Sequence, residues 1–308
     1  MMGYLLRRAG AAILTLWLAF TLAFFALRIL PGDAVSATLA RSGASSEQIA
    51  ERRAILGLDQ PLPQQYGQVL GGLLHGDFGS SLVSNRPVSD MIGEQFGATV
   101  ILAAGALLVG VLIGVGLGIV VALGSSRWLR WSAALIVSLL LSSPIYWTGT
   151  LLITLFSLML HLLPSAGSND PQTLILPCLA LGLSLAGSIA RVTGDSLASL
   201  RDEDFVRTAR AKGLRRRQIA IQHILRAGLA PVLAVIGLQA GFLLGGTVVT
   251  ETLFVRQGIG QVLLSAIQDH DFPVVQGIVI LSAIVYSVVN MITDLLTAAF
   301  DPRVSPTE

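Results

Sequence analysis

The sequence predicts an all-α polytopic membrane protein with six transmembrane helices, and three observations carry that reading. The 308 residues are 53% hydrophobic and only 12% charged, with a mean hydropathy of +0.75. A soluble domain of this length carries about twice that charged fraction. Six apolar runs are long enough to cross roughly 30 Å of hydrocarbon at ~1.5 Å per helical residue. Finally, nine of the twenty basic residues fall between Arg191 and Arg226, a polar island inside an oily chain.

The six runs lie near Ala9–Leu30, Thr99–Leu123, Trp131–Leu158, Thr173–Ala190, Gly228–Phe254 and Val274–Ala299. Only helices satisfy their own backbone over such continuous apolar lengths in lipid. Met1–Arg8 resembles a positively charged leader, but the 22 residues Ala9–Leu30 exceed a signal-peptide core, so the segment is expected to be retained as a span. Pro144 is expected to kink the third run. Pro177 falls in the first turn of the fourth, where proline is tolerated.

Orientation follows from the Lys and Arg count in the connections. A cytoplasmic N-terminus puts 14 basic residues inside (Arg7, Arg8, Arg127, Arg130, the nine of the island and Arg303) against six outside (Arg28, Arg41, Arg52, Arg53, Arg86 and Arg256). Both termini are therefore expected in the cytoplasm. The implied division is a first segment and span over 1–30, an extracytoplasmic segment over 31–96, a five-helix core over 97–299 containing the cytoplasmic loop 191–227, and a tail over 300–308.

Within the outer segment, Ser45 with Gln48 predicts a capping-box start to a helix that Gly57 ends. Pro63 opens a second helix, whose Tyr66, Val69, Leu70, Leu73 and Leu74 share a face before Gly76 stops it. Two such short helices cannot bury a core alone, so they are expected to lie on the membrane domain or on a partner.

Glycines recur at helical spacing in the second span (Gly110, Gly114, Gly118) and the fifth (Gly237, Gly241, Gly245). Small residues at this spacing let membrane helices approach closely. Packing within the chain is the plainer explanation, and contact of the fifth helix with a similar subunit the sharper one. Among intramembrane polar residues, Gln239 and Glu251 are the candidates for lining a pathway. An interhelical hydrogen bond explains Gln239 as well, and snorkelling from a helix end explains Glu251 and Asp294.

Catalysis by the chain itself is not expected. Val192-Thr193-Gly194-Asp195 lacks the first glycine of an aspartyl-protease motif, no histidine lies mid-span, and no Walker-type phosphate loop occurs. The single Cys178 excludes an internal disulfide, and the four histidines lack ligand-like spacing.

The island itself reads as helix, glycine, helix. Glu203–Gly213 has acidic residues at its start and basic ones at its end, as the helix macrodipole favours, and Gly213 is a natural stop. Positive-inside charge accounts for the arginines but not for that order. The run Phe205-Val206-Arg207-Thr208-Ala209-Arg210-Ala211-Lys212-Gly213 resembles the cytoplasmic loop of ABC-importer permeases of the peptide/nickel family. His223–Arg226 followed by Ala230-Pro231-Val232 is similar to that loop's continuation. Leu30-Pro31-Gly32-Asp33, Gly76-Asp77-Phe78-Gly79, Thr250–Phe254, Asp271-Phe272-Pro273-Val274 and Asp301-Pro302-Arg303 agree in order, so the resemblance spans nearly the whole chain.

That resemblance implies a type I ABC-importer transmembrane fold in a bacterial inner membrane. The expected partners are a second homologous permease subunit, one or two ATPase subunits that bind ATP and magnesium, an extracytoplasmic substrate-binding protein and the bilayer, with no cofactor in this chain and no nucleic acid. It assigns Arg207, Ala209, Arg210, Lys212 and Gly213 to a helix that docks on the ATPase, with Ala209 and Gly213 as the short side chains permitting close approach. Arg207-Thr208-Ala209 stands where the general importer loop has Glu-Ala-Ala, a departure shared with the peptide/nickel branch. Peptide is the favoured cargo, with nickel or metal–chelator complexes as the alternative. A membrane anchor that recruits a cytoplasmic protein is the competing reading from another class.

Overall fold

The computed structural model describes residues 2–29, 36, 45–168 and 170–300. The Leu30–Asp33 and Asp301–Arg303 segments, Arg41, and the tail beyond Phe300 lie outside the described residues. Among the described residues the chain is predominantly helical, and its extended pairing is one isolated bridge, Ser80 with Pro87. Five helices are long and apolar enough to cross a membrane, and a bent helix pair makes a sixth if counted as one span. The described residues cluster into two compact units, one within 2–4, 100–256 and 286–300, the other within 5–99 and 257–285.

In the first unit the organising helix is α7, Ile175–Ser199. It packs against α5 (Arg127–Ser142), α6 (Ile145–Leu152) and α10 (Leu229–Leu253). Its own sequence permits this: Pro177 sits in the first turn, and small residues at Ala180, Gly182, Ala186, Gly187 and Ala190 are all buried. The helix α4, Val88–Leu123, crosses α7 along the predicted glycines. A Cβ on Gly110 would lie 3.0 Å from the Leu185 Cβ, and one on Gly114 2.8 Å from that of Ile189. One on Gly118 would lie 2.5 Å from that of Thr193. These glycines therefore serve packing within the chain.

The fifth-span glycines divide. Gly237 faces Thr293, and a Cβ on Gly241 would stand 2.8 Å from the Tyr286 ring, both on α12 (Phe272–Phe300). Gly245 meets nothing within 4 Å.

The third span departs from expectation. Instead of kinking, the helix stops: Ser143 (ψ 118°) and Pro144 (φ −62°, ψ 142°) are extended, and α5 and α6 diverge by 108°. Proline disfavours helical backbone at the residue before it and cannot donate to the preceding turn. Two consecutive extended residues then separate the helices fully. The Ser143 hydroxyl donates to the Leu139 carbonyl at 2.7 Å, satisfying a carbonyl of the last turn. After α6 the chain widens into a π-helical stretch, Ile153–Met159.

The second unit contains α1 (Met2–Ile29) and the two predicted short helices, α2 (Ser46–Ile55) and α3 (Leu62–Leu74), of which α3 packs on α1. The Ser45–Gln48 capping box is present in full, and Gly57 takes the positive φ of a helix stop. Attachment runs through Arg28, whose Nε and Nη2 donate to Gln65 Oε1 at 3.2 and 3.1 Å while the guanidinium lies 3.5 Å from the Phe24 ring centroid. Tyr66 packs among Phe20, Phe24 and Phe25. The helix α3 thus lies on its own chain's first span. Leu74, predicted for the buried face, is 79% exposed, and the buried residue of α3 is Gln65.

Two of the quoted motifs meet in the same unit. Asp271, buried between α11 (Ile259–Gln268) and α12, accepts from the Ser81 hydroxyl at 2.5 Å and the Leu82 amide at 3.0 Å. Phe78 packs on the cluster containing Phe272 and Val274.

Candidate functional site

The island folds as predicted, into a short helix with a sharply defined end. The helix α8 runs over Asp204–Ala211, with Glu203 as an extended N-cap (φ −68°, ψ 152°) that makes no side-chain cap. Asp204 occupies the first turn and Arg210 the last, the order the macrodipole favours. At the C-terminus the Gly213 amide donates to the Arg210 carbonyl at 2.9 Å and the Leu214 amide to the Ala209 carbonyl at 3.3 Å. That pair of bonds, closed over a glycine at φ +77°, is a Schellman ending. The chain then continues through α9 (Arg216–Gln218) into a second π-helical stretch, Ile219–Leu225.

One face of α8 anchors it. Val206 is fully buried and Ala209 is 4% exposed, in a cluster with Ala122, Leu197, Ile219 and Ile224. The short side chain at Ala209 therefore fits α8 to its own bundle and does not reach the outer surface. Arg207, Arg210, Lys212 and Gly213 are exposed, and so is Phe205 at 39%. Arg207 lies 3.5 Å from Asp204, an exposed pair that stabilises little. Arg210 Nη2 donates to the Arg201 carbonyl at 3.3 Å. A Cβ on Gly213 would meet nothing within 4 Å, so only its backbone conformation demands glycine. The result is a helix fixed on one side and open on the other, with Arg207, Lys212 and one bare stretch of backbone on the open side and Arg210 at its edge, turned back toward Arg201.

The two pathway candidates are not brought together. Gln239 and Glu251 stand twelve residues apart on α10, about 18 Å of helix rise. Gln239 is half-buried, whereas Glu251 is fully buried and cannot be snorkelling to an interface. A position near the helix end suggests an exposed carboxylate, but the side chain is fully enclosed. Its neighbour Arg256, also buried, donates from Nη1 to the Thr173 hydroxyl at 3.3 Å and from its backbone amide to the Glu251 carbonyl at 2.8 Å. Sequence reading missed Val206 and Arg256. The three-residue spacing of Val206 and Ala209 was the available signal for the first, and nothing local signalled the second. No group of His, Cys, Asp and Glu able to hold a metal ion occurs among the described residues.

Comparison with known proteins agrees with this architecture. Residues 114–306 match the model of the binding-protein-dependent transport system inner membrane component, and residues 1–103 match the N-terminal component of the same kind of system. The chain is 38% identical over 304 residues to the glutathione transport system permease protein GsiC of Salmonella paratyphi A, covering 99% of each. It is 37% identical over 305 residues to that of Escherichia coli K12, again covering 99% of each. Among solved structures it is similar in fold to the methionine ABC transporter MetNI (TM-score 0.59, 16% identity, 68% of this chain and 96% of that one). The chain belongs to the binding-protein-dependent transport system inner membrane component family, and it is a permease subunit of an ABC importer. It is a multi-span inner-membrane protein that works with a partner permease, an ATPase and a substrate-binding protein, and ATP hydrolysis belongs to the ATPase.

Proposed function

We propose that this permease subunit forms half of a pathway for short peptides of the glutathione type, and that α8 is the element through which ATP hydrolysis drives it. The observation that carries the reading is the two-sided character of α8. Val206 and Ala209 tie it to α7 and the π-helical stretch, while Arg207, Lys212 and Gly213 present a basic, close-approach surface with Arg210 at its edge, bonded back to the Arg201 carbonyl. A helix anchored this way transmits a push as a rigid body, since close-packed contacts do not deform continuously. Two copies of such a surface, one per permease subunit, suit one docking groove on each of two ATPase subunits.

The orientation belongs to the same proposal: α8 and both termini in the cytoplasm, with 31–96 and the 254–271 connection outside. Cysteine labelling tests it cleanly, because the single native cysteine, Cys178, is buried. Lys212→Cys should react with a membrane-impermeant maleimide in inverted vesicles only, and Asn85→Cys in right-side-out vesicles only. The reverse pattern would overturn the orientation.

Cargo is tested with the reconstituted importer and its binding protein. Stimulation of ATP hydrolysis by binding protein loaded from a panel of di- and tripeptides, glutathione included, is the expected result. Stimulation by nickel chelates alone would overturn the peptide assignment. Fully buried Glu251 and half-buried Gln239 are the α10 side chains proposed to touch that pathway, with Gln239 the better placed for cargo.

A further inference from the structure

We propose that a cavity of about 350 Å³ behind α8 binds a phosphate-bearing anion, supplied by the headgroup of an anionic phospholipid. The inference rests on the cytoplasmic placement of α8 proposed above. Three guanidiniums from separate segments line the cavity: Arg130 on α5, Arg201 after α7, and Arg210 on α8. Asp202 is the one carboxylate beside them, which leaves a formal charge of +2.

Their hydrogen bonds leave most of this charge unanswered. Arg130 Nη1 donates to the Gly124 carbonyl at 2.9 Å, Arg201 Nη1 to the Ala122 carbonyl at 3.5 Å, and Arg210 Nη2 to the Arg201 carbonyl at 3.3 Å. None of the three forms an ion pair with a described residue. A guanidinium has five N–H donors in a planar fork that matches phosphate oxygens in pairs. One backbone carbonyl each therefore spends a small part of the donor capacity. Three such forks around one small cavity form a phosphate site, whereas a lone surface arginine is only a solvated charge.

Free phosphate and a lipid headgroup share that chemistry, and the surroundings favour the lipid. The α5 helix that supplies Arg130 also carries Trp128 and Trp131, 75% and 60% exposed, with ring centroids 6.3 Å apart. Exposed tryptophans at a span's end mark the headgroup level of the bilayer. Leu214, Ile219 and Ile224 give the cavity an apolar wall that a glycerol backbone can use and inorganic phosphate cannot. Basic pockets between transmembrane helices on the cytoplasmic side are where acidic headgroups bind. An occupant held by Arg130 and Arg210 together would tie α8 to the start of α5, so membrane composition would bear on how firmly α8 is seated.

The test uses the intact importer, delipidated in detergent and titrated with phosphatidylglycerol or phosphatidylcholine, with bound lipid read by native mass spectrometry. Phosphatidylglycerol should be retained several-fold over phosphatidylcholine. Arg130→Gln with Arg201→Gln should abolish that preference, and Arg217→Gln, on the exposed island but outside the cavity, should keep it. If the glutamine pair fails to assemble, Arg130→Lys with Arg201→Lys keeps the charge, loses the forks, and should show an intermediate preference. Equal retention of both lipids by the unaltered importer overturns the proposal. Displacement of phosphatidylglycerol by millimolar inorganic phosphate would make free phosphate the occupant and overturn the lipid assignment. Because bound lipid is read directly, the result is independent of sidedness, which the cysteine labelling decides separately.

Discussion

The backbone amide of Leu214 donates to the carbonyl of Ala209 across Gly213, and this one bond sets the direction in which α8 ends. It turns the chain back so that Leu214 joins Ala209 in the cluster beneath α8. The same turn leaves Lys212 and the bare Gly213 backbone facing outward. Anchoring and presentation are thus consequences of a single helix terminus.

Ala209 and Lys212, three residues apart, should behave oppositely when changed. Ala209→Leu overpacks a buried site and should destabilise the fold by about 1–3 kcal/mol, read as a lowered unfolding midpoint in detergent. Lys212→Glu, on the exposed side, should leave that midpoint within about 0.5 kcal/mol yet weaken ATPase association several-fold. The loss should shrink as salt is raised, because the interaction is screened.

The α4–α7 crossing offers an internal control. Gly118→Ala puts a methyl 2.7 Å from the Ala190 carbonyl oxygen, where backbone cannot give way cheaply. A loss of about 1–3 kcal/mol in thermal unfolding is expected. Gly116→Ala, two residues earlier on the same helix, meets nothing within 4 Å and should be neutral or slightly stabilising.

The Arg28–Gln65 contact should govern how firmly α3 lies on α1. Gln65 also donates from Nε2 to the Leu58 and Gln60 carbonyls, so Gln65→Ala strips partners from one guanidinium and two carbonyls. Losing hydrogen bonds to a charged group costs about 1.5–3 kcal/mol. Amide exchange over 62–74 should therefore speed up by roughly tenfold to a hundredfold, while exchange in α7 is unchanged.

Much of this molecule was legible from residues alone, and the failures share a cause. The span count, the Ser45–Gln48 cap and the limits of α8 follow from local chemistry: apolar length, a hydroxyl with a glutamine three positions on, and an acidic start with a glycine stop. The smallness of Ala209 suggests docking, and its direction, into the cluster beneath α8, is not visible in the sequence. In an eight-residue helix the Val206–Ala209 spacing is too brief a pattern to fix an inward face until the cluster beneath it is seen. Distance from the helix end suggests an exposed Glu251, whereas its burial depends on tertiary packing that the local sequence does not show. Gly245 shares the spacing of Gly237 and Gly241 but not their neighbours, since only those two face α12. At Pro144 the proline was evident, but the full 108° break also needed the extended Ser143.

The most direct test of α8 as the coupling element is Gly213→Trp in the reconstituted importer, with ATP hydrolysis measured with and without loaded binding protein. Space around Gly213 is open in this chain, so the added bulk should leave assembly of the membrane helices intact, and Gly213→Ala, which carries the same strain of the positive φ without the bulk, should keep most of the stimulation. Stimulation by loaded binding protein should fall to the unstimulated level, and uptake should be lost with it. Replacing Glu203, at the far end of the helix, should do much less. Normal stimulation and uptake in Gly213→Trp would contradict the assignment.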